Sequence, residues 1–122
     1  MFAKVALSIL LLGCLFSQGM GQCSVQNLKI TTAPTGTVAN GKPVYNVTVT
    51  NACACGQSSV VIDCTGLQSA VPLDLAHVTK VDATKCLLNN GDIIYPKEST
   101  SFTYAWNQVF TFKPVDSQVS CS

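Results

Sequence analysis

Cysteine is the residue type with the most chemical options in this chain, and its spacing is uneven. Cys53 and Cys55 flank a single alanine in the run Asn51-Ala-Cys-Ala-Cys-Gly-Gln57, while Cys23, Cys64, Cys86 and Cys121 stand apart. A structural zinc site needs four ligands in spaced pairs, which this arrangement does not offer. His77 is the single histidine, three residues behind Asp74. No serine-glycine elbow or reactive-cysteine signature accompanies it. A general base needs positioned partners, so His77 reads as a surface or packed residue. A hydrolase would require it within hydrogen-bond reach of a carboxylate or nucleophile in a cleft. The six acidic residues are scattered and suggest no glycosidase pair. The sequence therefore predicts no catalytic residue, no metal and no cofactor, and a protein that is not an enzyme.

The compartment decides what the cysteines become. Lys4 precedes an apolar run from Val5 to Phe16, and small residues follow, with Gly19 and Gly21 at the −3 and −1 positions of a cut before Gln22. This is the pattern of a secretory signal peptide over residues 1–21; a cut after Gly19 fits nearly as well. The run is short of the ~20 residues that span a bilayer, so no membrane association is expected once the leader is gone. Loss of the leader removes Cys14 and leaves Cys23, Cys53, Cys55, Cys64, Cys86 and Cys121. An even number of cysteines in a short secreted chain reads as three disulfides. A direct Cys53–Cys55 bridge would be strained, so each is expected to reach a different partner. Removal of Lys4 from the seven basic residues leaves six lysines against six acids, with no arginine. That balance argues against nucleic acid, which wants a basic face.

Residues 22–122 form one domain, and its segments read as strands. Tyr45, Val47 and Val49 alternate with Asn46, Thr48 and Thr50, the pattern of a half-buried strand. Val60-Val-Ile62 is a short β-branched run ending near Cys64. Cys23 to Thr32 is expected to open the sheet, and Ala33 to Pro43, with Pro34, Gly36 and Asn40-Gly41, to form a loop. Antiparallel pairing across that loop sets Thr32 opposite Val44 and Cys23 opposite Cys53. Cys23–Cys53 is thus the preferred bridge among the many pairings six cysteines allow. Ala70 to Leu75 is a candidate edge strand because of Pro72, and His77 to Asp82 alternates weakly. Leu87-Leu88 and Ile93-Ile94 flank Asn90-Gly91, the signature of a two-residue hairpin. Thr100 to Trp106 alternates, Pro114 interrupts the aromatics, and Val115 to Cys121 closes the chain. No helix of convincing length is visible. The expected fold is all-β: a small antiparallel β-sandwich stapled by three disulfides.

Two features bear on recognition. Asn46-Val-Thr48 is a glycosylation sequon on the polar face of its strand. Phe102, Tyr104 and Trp106 share one face, which fits a core strand or, if exposed, a platform for sugars. Loops carry recognition on rigid scaffolds, so the turn Asn51 to Gln57 and the tips Asn40-Gly41 and Asn90-Gly91 are the expected contact surface.

The mature chain resembles the tapetum-determinant family of small secreted cysteine-rich plant signalling proteins. The likeness is carried by Cys23-Ser24, Pro43-Val-Tyr-Asn-Val-Thr-Val-Thr-Asn51, Val60-Val-Ile-Asp-Cys64, Asp82-Ala-Thr-Lys-Cys-Leu-Leu-Asn-Asn-Gly91, Ser99-Thr-Ser-Phe-Thr-Tyr-Ala105 and Val119-Ser-Cys121. It covers almost the whole mature chain, in a divergent, short form with only Ala54 between the second and third cysteines. The resemblance implies an extracellular, apoplastic ligand of a leucine-rich-repeat receptor kinase ectodomain, acting in cell fate or reproductive development. The rival reading is a non-catalytic module that binds cell-wall glycans.

Overall fold

The computed structural model describes residues 23–121; the leader expected over residues 1–21 lies outside them. Ser24 caps the first turn of the described residues. Its hydroxyl accepts from Gln26 N at 3.2 Å and its own N–H donates to Asn27 Oδ1 at 2.9 Å, closing a single 3-10 turn over Val25–Asn27. Strand β1, Leu28–Ala39, then pairs with β2, Lys42–Asn51, across Asn40 and Gly41. Both turn residues have positive φ, 50° and 78°, which asparagine and glycine tolerate and a two-residue hairpin demands.

The expected loop from Ala33 to Pro43 is therefore mostly strand. β1 continues through Pro34 and Gly36 by means of an irregularity between Pro34 and Val38. It can do so because it is an edge strand, where a missing N–H breaks no ladder. The register is shifted accordingly: Thr32 lies opposite Val47, not Val44. Cys23 still reaches Cys53 because the 3-10 turn draws the chain start back, with Ala52 N donating to Asn27 O at 3.0 Å.

Two antiparallel sheets result, ordered β1-β2-β6 and β4-β5-β3-β7. The remaining strands are β3, Gly56–Asp63; β4, Val78–Lys80; β5, Lys85–Leu88; β6, Ser99–Ala105; and β7, Lys113–Ser120. The fold is the expected all-β sandwich. Its interior is built from the inward rows of β2, β3 and β6, including Val47, Val49, Val60, Ile62, Phe102 and Tyr104, closed by Leu67, Val78 and Leu88. Phe110 and Phe112 belong to the β6–β7 connection and not to a strand, yet both turn inward. Tyr104 packs on Tyr45 and Phe110 with ring centroids 5.4 Å away in each case, and its hydroxyl accepts Phe110 N at 3.0 Å. Burial pushes the Tyr104 phenol up from its ordinary value.

Three further expectations are corrected. Asn90-Gly91 is not a hairpin turn. Asn89, Asn90 and Gly91 all have positive φ (55°, 57° and 85°) and curl the chain into a 3-10 turn. Ile94 consequently leaves Leu87-Leu88 and bridges Gln57 instead. Ala70 to Leu75 is irregular: Ala70 N donates to Ala105 O at 2.7 Å, but Pro72 has no N–H with which to continue. Pro114 does not interrupt β7 but sits within it, opposite Ile62 on an edge strand.

Candidate functional site

All six expected cysteines are bridged: Cys23–Cys53, Cys55–Cys121 and Cys64–Cys86, with Cα separations of 5.8, 4.7 and 5.9 Å. Cys53 and Cys55 thus take different partners across their shared alanine. The sulfurs of Cys23, Cys55 and Cys121 lie within 4.8 Å of one another, so two bridges meet at one end of the sandwich. The closeness resembles a ligand set, but every one of these sulfurs is in a disulfide. A disulfide sulfur is not the thiolate that binds a metal.

The turn between those bridges is not the exposed loop that its composition suggests. Asn51 and Gln57 are fully buried. Asn51 Nδ2 donates to Cys55 O at 2.8 Å and Ile94 O at 2.9 Å, while its Oδ1 accepts Cys53 N at 3.0 Å. Gln57 Nε2 donates to Ser24 O at 3.1 Å, and Ser117 Oγ donates to Gln57 Oε1 at 2.6 Å. Buried polar groups with every partner in place fix a unique geometry. Here they tie the chain start, the cysteine turn, Ile94 and β7 into one knot. Sequence reasoning missed both residues, because in a turn asparagine and glutamine look like solvent-facing polarity.

The three expected recognition elements do not form one surface. Asn51–Gln57 and Asn89–Gly91 share the stapled end, since Asn51 bonds Ile94 just past the second of them. Asn40-Gly41 caps the far end of β2, about 30 Å away at ~3.3 Å per residue. There Asn40 Nδ2 donates to Ala70 O at 2.8 Å.

The aromatic run forms no platform. Phe102 and Tyr104 are core residues, and Trp106 is half-buried with Lys42 Nζ 5.5 Å from its ring centroid. A flat exposed pair for stacking on sugars is not present in this strand. Asn46 is half-buried on the outward face of central strand β2, between Ala33 and Thr103, and its Nδ2 donates to the sequon's Thr48 Oγ1 at 3.3 Å.

His77 does meet a carboxylate. Its Nδ1 lies 2.8 Å from Asp74 Oδ2, and Asp74 Oδ1 accepts Ala76 N at 3.0 Å. The His77 contact and then the Ala76 N–H hold the Asp74 carboxyl below the usual aspartate range. The pair is local, three residues apart in a turn where His77 N and Val78 N both donate to Asp74 O. His77 also lines a cleft of about 260 Å³ with Asn89, Ile93, Ile94, Glu98, Ser99, Thr100 and Ser101. Among the described residues no hydroxyl or thiol is hydrogen-bonded to the other ring nitrogen, so the pair lacks the nucleophile that acyl transfer needs. What the cleft presents is almost wholly polar: the hydroxyl-bearing residues Ser99, Thr100 and Ser101, the Asn89 amide, the His77 ring and the Glu98 carboxylate.

A small antiparallel β-sandwich whose six described cysteines are all bridged is the class that these observations define. The family model for the C-terminal region of tapetum determinant 1 matches residues 24–122, and the chain belongs to that family. It is similar to TPD1 protein homolog 1 of Arabidopsis thaliana, with 27% identity over 101 residues, covering 81% of this chain and 55% of that protein. The chain thus matches about half the length of this curated relative. No solved structure matches the chain. Among the described residues, no helix is long and apolar enough to cross a membrane.

Proposed function

We propose that this protein is a secreted signalling ligand that acts by binding, with no bond made or broken, to a leucine-rich-repeat receptor kinase ectodomain at the plant cell surface. The process served would be cell-fate specification or reproductive development. The observation that carries this reading is the family match across residues 24–122. The architecture supports it: three disulfides, two of them beside a buried polar knot, give a preorganised domain, which lowers the ordering cost of association. Residues 1–21 read as the export signal and the bridges suit an oxidising apoplast. Asn46, on the outward face of β2, is a compatible acceptor for a glycan.

The test is binding of the purified, oxidised protein to a panel of leucine-rich-repeat ectodomains, with cell-wall polysaccharides measured in parallel. Saturable binding to one ectodomain, lost on reduction of the disulfides, is the expected result. Binding to polysaccharides alone, weakened by Trp106→Ala, would replace the ligand reading with a carbohydrate-binding one.

A further inference from the structure

Each sheet has two outer strands, and an outer strand exposes backbone groups that other chains can pair with. Three of the four are protected. β1 carries Lys29, Pro34 and a register irregularity; β4 is three residues long and ends in Lys80; β7 carries Lys113, Pro114 and two register shifts against β3. β6 has none of these devices. Its sequence, Ser99-Thr-Ser-Phe-Thr-Tyr-Ala105, is uncharged and free of proline, and its pairing with β2 is unbroken.

The hydrogen bonds show which groups of β6 point outward. Glu98 O accepts Asn51 N, and Trp106 N donates to Pro43 O, so even-numbered positions face β2. Ala105 faces the other way: its N–H donates to Ser69 Oγ at 3.1 Å and its carbonyl accepts Ala70 N at 2.7 Å. In an antiparallel ladder this alternation continues along the strand, so Ser99, Ser101 and Thr103 also point their N–H and C=O away from β2. Among the described residues those groups have no partner. The chain's own Ser69–Ala70 begins to cover the edge and is stopped by Pro72.

Among the described residues the sheet order leaves the space beside this edge without a strand. β1 lies against β7, so, counted from that side, β2 faces β3, β6 faces β5, and β4 has no strand opposite it. The cleft lined by His77, Asn89 and Glu98–Ser101 is that vacant position. Thr100 lines it, and the Thr100 hydroxyl is buried beneath without a hydrogen-bond partner among the described residues. Of the ionisable groups at the cleft, Glu98 has a carboxylate with no ion pair among the described residues and His77 is held by Asp74, while the nearby Lys97 and Lys80 are turned to Ala52 O and Leu67 O.

We propose that the β6 edge from Ser99 to Thr103 is a strand-addition site. An extended segment of a partner protein would pair with it antiparallel and place a lysine or arginine side chain in the cleft beside Glu98. Main-chain bonds supply the affinity and the cleft the specificity. The incoming residue opposite Thr100 shares that residue's inward direction and meets the cleft residues Asn89 and Glu98. A second copy of this chain is a poor occupant, because the overhanging β4 of each copy would fill the space the other's β6 needs. The site does not depend on which partner is physiological, so its failure leaves the receptor reading standing.

The test uses the oxidised full-length mature protein and the peptide acetyl-Val-Thr-Lys-Thr-Val-Thr-amide, with Glu or Leu replacing Lys in two companions. The expected result is saturable binding of the lysine peptide, with slowed hydrogen exchange at the Ser101 and Thr103 amides. Ser101→Pro removes an N–H that has no partner among the described residues, and it should weaken binding about tenfold or more. Glu98→Gln should weaken it about 2- to 5-fold, as expected of a rim charge, and Glu98→Lys should reverse the preference toward the glutamate peptide. If Ser101→Pro fails to fold, the Glu98→Lys reversal decides. No binding by any peptide, equal binding of the Lys and Glu peptides, protection at another strand, or protection that instead tracks dimer formation would each overturn the proposal.

Discussion

The stapled end and the cleft side of this sandwich treat polar groups in opposite ways. At the stapled end, Asn51 and Gln57 are fully buried and every bond their geometry allows is made, within a shell that includes two disulfides. At the cleft, Thr100 Oγ1 is buried with no partner and the neighbouring edge of β6 is unpaired. The first arrangement consumes its hydrogen-bonding capacity internally and specifies one structure. The second leaves capacity unused beside a cavity, which is where an incoming chain gains most. A sealed end and an open flank on one small domain suit the binding role proposed above.

The largest effects should come from the stapled end. Replacing Cys55 and Cys121 together by serine opens a loop with a sequence separation of 66 and should lower unfolding free energy by about 4 kcal/mol. Denaturant titration of the oxidised variant checks this; an unchanged midpoint would show that the bridge holds nothing the hydrogen bonds do not. Asn51→Ala strips Cys55 O and Cys53 N of their side-chain partner and leaves Ile94 O with Gln57 N alone, and it should destabilise by about 3 kcal/mol. Comparable loss from an exposed asparagine such as Asn90→Ala would erase the contrast between knot and surface.

Acid should act more gently and through different residues. Asp63, Asp74 and Asp82 each cap a turn and are held below the ordinary aspartate value of 3.8: Asp63 by the Thr65 hydroxyl, Asp74 by His77, and Asp82 by the Thr84 N–H. A carboxyl with a depressed folded value adds stability above its unfolded value and loses it as pH falls through the folded one. Stability is therefore expected to decline as pH drops below about 4, with little change above that. Asp82→Asn should flatten the decline, which thermal midpoints measured against pH would reveal. The smallest change is expected at the cleft. Thr100→Val exchanges an unpartnered hydroxyl for a methyl and should leave the free protein unaltered or more stable by up to about 1 kcal/mol. A clear loss of stability would mean that the hydroxyl is satisfied within the fold.

Much of the scaffold could be read from the chain. Alternation in β2 and β6 and an even cysteine count lead directly to a stapled sandwich, because strand period and oxidation state are local or compositional properties. β1 was harder: Pro34 and Gly36 look like a loop, and only its position at an edge lets it run on to Ala39. Asn90-Gly91 misled because the hairpin signature does not disclose that Asn89 also adopts positive φ. The polar knot was illegible, since Asn51 and Gln57 acquire their partners from Ser24, Ile94 and Ser117. So was the cleft, assembled from His77, Asn89 and Glu98–Ser101. Neither has a period or a motif; both are products of topology.

Native-state amide hydrogen exchange across the molecule tests the contrast most directly. The Gln57, Ile94 and Cys53 amides, bonded inside the knot, should exchange only with global unfolding. The Ser101 and Thr103 amides should exchange orders of magnitude faster than their neighbours Phe102 and Tyr104, which face β2. Protection of Ser101 and Thr103 equal to that of Gln57 in the free monomer would mean that the β6 edge is already covered, and the account of a sealed end and an open flank would be wrong.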